Sequence, residues 1–166
     1  MNRDAEKTDR ALLTRALALA AQNAERPAAA LSGGPFGAVI ALADGTILAE
    51  GSNQVLARHD PTAHAEMEAI RAACQARQSC HLENAVLYAS SEPCPMCLAA
   101  AYWAKISRAV YANPRGAAAS LGFSDARLYR EIALPKTKRA LPMTRLLLPD
   151  ADFPLTRWKQ RGLPLY

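Results

Sequence analysis

Apolar residues recur every three or four positions at Leu13, Leu17, Ala20 and Ala24, the spacing of one helical face. A first helix is therefore expected, capped by Thr8 or Asp9 and stopped by Pro27 and the small-residue stretch 28–35. The pattern then changes. Segment 36–42 is a continuous apolar run, Asp44-Gly45 carries a hairpin-turn signal, and segment 46–50 returns, which predicts two antiparallel strands. Asp60 before Pro61 marks the start of a second helix, with Met67, Ile70 and Cys74 as its buried stripe.

Farther on, 85–89 reads as a central strand, 95–104 as a helix and 108–112 as the next strand, a βαβ unit whose strands pair in parallel. Segment 117–130 holds one or two short helices around Gly122, and 143–148 supplies a fifth strand. A short last helix begins near Asp152 and Pro154 and buries Phe153 and Trp158. This alternation predicts one α/β domain over residues 1–166, a three-layer α/β/α architecture with a mixed five-stranded sheet and helices on both faces.

Composition adjusts that picture only slightly. A chain of 166 residues can bury a core without disulfides, although 36 of the residues are Ala, which contribute little apolar area each. The net charge of +5 is uneven: residues 1–83 carry 8 Lys+Arg against 10 Asp+Glu, and residues 84–166 carry 12 against 5. The densest basic knot, Lys136, Lys138 and Arg139, lies between Pro135 and Pro142 and reads as a solvated loop rather than a nucleic-acid footprint. No apolar run approaches the roughly 18 residues of a membrane span. Residues 1–7 carry both charge signs, so no signal peptide is expected either. Four Cys, two of them at CxxC spacing, suit a reducing cytoplasm better than a secreted disulfide framework.

The chemistry gathers where two helices begin. His64-Ala65-Glu66 and Pro93-Cys94-Pro95-Met96-Cys97 each carry a weak signal alone, but together they offer one imidazole and two thiolates, a ligand set that Zn²⁺ prefers. Cys94 and Cys97 share one side of a first helical turn, whose positive end favours the thiolate. No fourth ligand is evident among His59, His81, Cys74 and Cys80. A zinc with three protein ligands keeps an open position for water whose pKa falls toward ~7, and the Glu66 carboxylate beside it can collect and deliver a proton. A purely structural zinc and a thioredoxin-like redox pair are the competing readings of the same residues.

These two stretches, with their flanks Asp60-Pro61-Thr62-Ala63 and Ser91-Glu92, resemble the paired motif of the zinc nucleobase deaminases. Over nearly its whole length the chain resembles the bacterial guanine deaminases, which have the cytidine-deaminase-like fold. Gly34-Pro35-Phe36-Gly37-Ala38-Val39-Ile40, Asn53, Tyr102-Trp103-Ala104, Gly122-Phe123-Ser124-Asp125, Trp158 and Tyr166 carry that likeness. Segment 113–121 departs from it by lacking the acidic run that precedes Gly122-Phe123 in the family, and segment 25–32 departs by its length.

The resemblance implies one Zn²⁺ per chain held by His64, Cys94 and Cys97, with Glu66 as the proton shuttle in the conversion of guanine and water to xanthine and ammonia. It further implies a polar contact from Asn53 to a purine base, a donor in the Ala65 backbone N–H, and apolar pocket walls in Phe36 and Trp103. Asp125 and Tyr166 would close the pocket from the partner of a homodimer that swaps a segment of about 150–166. Plain roles stand beside these: Asn53 satisfying a turn, Phe36 and Trp103 as ordinary core, Asp125 as a helix cap. A tRNA adenosine deaminase is the competing enzyme, suggested by segment 58–66 and the basic C-terminal half, followed by other aminohydrolases of purines, pterins or triazines. A zinc-stabilised interaction module is the alternative without catalysis.

Overall fold

In the computed structural model, which describes residues 3–165, the elements run α1 (Arg3–Ala24), β1 (Gly37–Leu42), β2 (Ile47–Ser52), α2 (Val55–Arg58), α3 (Ala65–Arg77), β3 (Ala85–Ser91), α4 (Pro95–Trp103), β4 (Arg108–Asn113), α5 (Arg115–Ser120), α6 (Ala126–Ala133) and α7 (Phe153–Gln160). They fall into two compact units that divide between Asp125 and Ala126.

The first unit is built on a mixed sheet in the order β2-β1-β3-β4. β1 runs antiparallel to both β2 and β3, and β3 runs parallel to β4, with α4 in the crossover between them. Alternation along the strands sorts the core into two layers. Ala38, Ile40, Ala85 and Leu87 pack with α3 and α4, whereas Val39, Ala41, Val86 and Tyr88 pack with α1. Helices therefore cover both faces.

The sheet has four strands among the described residues, not five. Segment 143–148, expected as the fifth, has no ladder partner, and Leu146, Leu147 and Leu148 lie exposed. A run of apolar residues becomes a strand only when a neighbour takes its N–H and C=O groups.

Four further expectations shift. Neither Thr8 nor Asp9 is a cap, because both lie inside α1, which runs from Arg3, and the buried stripe is Asp9, Leu12, Ala16, Ala20 and Asn23. Leu17 is left partly outside. The phase slips because both ends of the stripe are polar and so invisible to a search for apolar residues. The second helix begins at Ala65, not at Asp60: Asp60 Oδ1 accepts from Thr62 N–H and Thr62 Oγ1, each at 2.7 Å, and this turn delays the helix until His64. Its buried stripe is Ala65, Glu66, Ala69, Ile70 and Ala73, so that of the expected trio only Ile70 is fully inside.

The second unit holds α6 and α7. Arg139, expected in a solvated basic loop, uses its guanidinium to cap α6 by donating to the carbonyls of Leu134 at 3.0 Å and Ile132 at 3.1 Å. Phe153 and Trp158 of α7, expected to be buried, are 61% and 44% exposed. An eight-residue helix with no covering layer of its own cannot hide two large rings. Among the described residues no helix is long and apolar enough to cross a membrane.

The long-range polar lock of the first unit joins α1 to β3 and β4. Asp9 accepts two bonds from Arg108, both at 2.7 Å, and one from Tyr88 Oη at 2.7 Å. Arg108 and Tyr88 hold the Asp9 carboxyl below its usual range, while burial and then the bond to Asp9 push the Tyr88 phenol up to about 12. A lowered carboxylate contributes stability above its unfolded value and loses it as pH falls through the folded one. Asp9→Asn is therefore expected to cost about 1–2 kcal/mol at pH 7, Arg108 keeping part of its hydration. In urea titrations that gap should close as pH falls below the ordinary value of 3.8.

Candidate functional site

β2 and β3 end at the same edge of the sheet, and the helices that follow them, α3 and α4, start there. Their N-cap residues are His64 and Cys94, both extended (φ −67°, ψ 156° and φ −66°, ψ 168°), and neither side chain caps its own helix. Released from capping, the two side chains meet between the helices. His64 Nδ1 lies 3.7 Å from Cys94 Sγ and 3.6 Å from Cys97 Sγ, and the two sulfurs, both free thiols, are 3.6 Å apart.

This triangle tests directly whether a metal fits. Tetrahedral zinc bonds of about 2.3 Å to sulfur and 2.0–2.1 Å to nitrogen place neighbouring ligand atoms roughly 3.6–3.8 Å apart. The observed edges have that length. His64, Cys94 and Cys97 form a group able to hold a metal ion, and Cys97 is fully buried. Contact with Cys97, and then with His64, pulls the Cys94 thiol down to about 4 against the opposing effect of burial. Cys94 itself pushes His64 up.

Glu66, the second residue of α3, is 8% exposed, and its carboxyl reaches the Cys97 thiol. Burial drives its protonation upward. Ala65, the first helical residue, is buried, and its N–H belongs to the first helical turn, which has no intrahelical acceptors.

The expected pocket residues are treated differently from one another. Asn53 is 4% exposed just beyond β2, and its Oδ1 accepts from the N–H groups of Gly34 and Val55, both at 3.2 Å. Phe36 packs edge-on against Phe123, with ring centroids 5.1 Å apart and planes at 87°. That contact ties the Gly122–Asp125 stretch to the start of β1. Asp125 is half-buried and Trp103, at the end of α4, is 66% exposed. Tyr166 lies outside the described residues.

Two supports carried no apolar or motif signal. Glu68 of α3 bridges Arg58 at 2.7 Å and Arg71 at 2.9 Å, and Arg71 donates to Thr62 Oγ1 at 2.9 Å, which pins the 58–62 loop leading into His64. On the other side, Asn113 Nδ2 donates to the Ser90 carbonyl at 2.8 Å and Glu92 N–H to the Asn113 carbonyl at 2.8 Å, which fixes the turn into Cys94.

The seat of α3 depends on a missing side chain. A Cβ on Gly51 of β2 would collide with the Ala65 carbonyl oxygen and come within 2.7 Å of Ala69 N, so α3 reaches the sheet only because this position is glycine. Gly51→Ala is expected to lift the first turn of α3, with a loss of about 1–3 kcal/mol. Unfolding titrations and metal content after dialysis check it: both should fall together, because the turn that lifts carries His64.

Similarities to known proteins agree with this geometry. Residues 7–113 match the cytidine and deoxycytidylate deaminase zinc-binding region. The chain is 46% identical over 127 residues to the guanine deaminase of Bacillus subtilis, covering 76% of this chain and 81% of that protein. The crystal structure of guanine deaminase from that organism superposes with a TM-score of 0.84 at 42% identity, over 96% of this chain and 95% of the other. A structure of guanine deaminase from Nitrosomonas europaea gives 0.63 at 29% identity, over 69% and 64%. A tRNA-specific adenosine deaminase of Agrobacterium fabrum is 43% identical, but over 53% of this chain and 59% of its own length. With the zinc-binding region matched over more than half its length, the chain belongs to the cytidine and deoxycytidylate deaminase family.

Proposed function

We propose that the chain is a zinc-dependent aminohydrolase that converts guanine and water to xanthine and ammonia. The observation that carries this reading is the convergence of His64, Cys94 and Cys97 at two helix N-termini, with the buried Glu66 carboxyl beside them. The choice of base rests on the likeness to guanine deaminases, which extends over 76% of this chain against 53% for the tRNA-specific enzyme.

His64 Nδ1 and the two thiolates would hold one zinc per chain. Zinc in such a three-ligand site makes water available as a nucleophile at neutral pH. The remaining work falls to the protein. Glu66, placed by the first turn of α3, takes one proton from the attacking water and delivers it to a ring nitrogen, then takes the second from the hydroxyl so formed on the reacting carbon and delivers it to the departing amine, so that nitrogen leaves as ammonia rather than as an amide anion. Asn53 and the Ala65 N–H orient the base by hydrogen bonding, and Phe36 and Trp103 supply apolar walls that keep bulk water off the reacting carbon. The cysteine usage of the sequence suits a cytoplasmic protein, and its resemblance to guanine deaminases implies a homodimer in which Asp125 and Tyr166 close the partner's site.

A purine panel read by ammonia release tests the substrate: guanine is expected to give the highest kcat/KM. Best turnover of adenosine within tRNA, or of a pterin or triazine, would overturn the choice of base and leave the proton shuttle standing. Glu66→Gln is expected to keep zinc and lose at least ~10²-fold in kcat. An unchanged rate would mean that the carboxylate is not the shuttle, and a wild type without turnover on any substrate would favour an interaction module in which the metal is only structural. Removing the metal with a chelator should abolish turnover, and adding zinc back should restore it.

A further inference from the structure

Asn23 is out of place by its chemistry. It is a polar residue on the buried stripe of α1, 1% exposed, in the helix that packs on the face of the sheet opposite α3 and α4. Nothing in the metal centre uses it. Such an amide persists in a core only if its donors and acceptor are satisfied, because an unmet one costs about 1–3 kcal/mol.

Its partners lie in the 32–34 loop and at Asn53, just beyond β2. Asn23 Nδ2 donates to the Gly34 carbonyl at 2.7 Å and to the Asn53 carbonyl at 3.1 Å, with the Gly33 carbonyl at 3.4 Å, and its Oδ1 accepts from the buried Ser32 Oγ at 2.6 Å. Ser32 in turn offers its carbonyl to Leu56 N–H at 2.9 Å and Ala57 N–H at 3.0 Å. One helical side chain thus holds the 32–34 loop and the backbone of Asn53 together.

The side chain of Asn53 is fixed by that loop. Its Oδ1 takes the Gly34 N–H, and it lies where a Cβ on Gly33 would have to be. With Oδ1 engaged by two backbone N–H groups, the amide cannot turn over without stranding both, and Asn53 presents its Nδ2 as a donor. Gly34 is equally constrained, since a Cβ there would meet the Phe36 ring at 2.8 Å and the Phe123 ring at 3.3 Å.

We propose that Asn23 is a positioning residue that locks Asn53 in its donor orientation, so that the pocket selects a base presenting a carbonyl or an unprotonated ring nitrogen at that edge. The inference rests on the purine-deaminase reading, within which it assigns how the base is discriminated. It also accounts for the long 25–32 segment: the chain that departs from the family there returns to the fold through Ser32, and Asn23 is what receives it.

A double-mutant cycle tests the proposal on the zinc-loaded protein, using the purine that the wild type turns over best. Asn23→Ala is expected to raise KM about 10-fold and to change kcat by less than about 3-fold at unchanged zinc content, the pattern of lost binding rather than lost chemistry. In an Asn53→Ala background the same change should cost less than about 2-fold, because the residue it positions is gone. Ser32→Ala, which removes one bond and spares the helix, is the second arm if Asn23→Ala does not fold. It is expected to raise KM about 2- to 5-fold with Asn53 present and to have no effect without it. Losses that multiply independently of Asn53, or that fall on kcat alone, would overturn the positioning role. A wild type that turns over no purine would instead overturn the substrate reading and the inference resting on it.

Discussion

A helix leaves its first N–H groups without intrahelical acceptors, and α3 and α4 place there a histidine and a cysteine where a side-chain oxygen would ordinarily cap. Forgoing a cap costs about 1 kcal/mol per helix. What is gained is position. The N-cap residue is the last one with extended backbone, so its side chain is free to swing over the end of its own helix, and two helices starting at one edge of a sheet bring two such side chains together. The positive helix ends also favour thiolate over thiol, so the half-site is prepared electrostatically before any ion arrives.

That arrangement requires helices that lie very close to the strands. Ala38, Ala65, Ala69, Ala73, Ala85 and Ala101 fill the layer beneath α3 and α4, and Gly51 removes the last obstacle under the first turn of α3. Gly37 does the same for α1 on the opposite face, where a Cβ would run into the backbone of Ala16 and Ala20. Small side chains bury little area each, so this core relies on close approach and on its polar locks more than on large apolar groups.

How much of this could be read from the sequence follows from how local each signal is. The His64, Cys94 and Cys97 group was legible because the spacing of its residues already limits where they can go. The strand and helix alternation of the first unit was legible for the same reason. The phase of α1 was not, since Asp9 and Asn23 are polar residues whose burial depends on partners far along the chain. Segment 143–148 has the composition of a strand, yet a strand is a relation between two segments and no composition supplies the second. The short helix α2 was missed because four residues carry no periodicity. Asn53 kept two readings open, and its Oδ1 does serve the turn.

The Asp9 lock joins residues 99 positions apart. Helix α1 leaves the ribosome well before β3 and β4, so its buried carboxylate has no counter-charge until β4 has emerged and paired beside β3. Closing so long a loop is entropically slow. During synthesis the helix is therefore held to the early hairpin by apolar contacts, the Arg15–Glu50 ion pair and the Asn23 bonds, and the first unit acquires its last polar lock only when β4 docks.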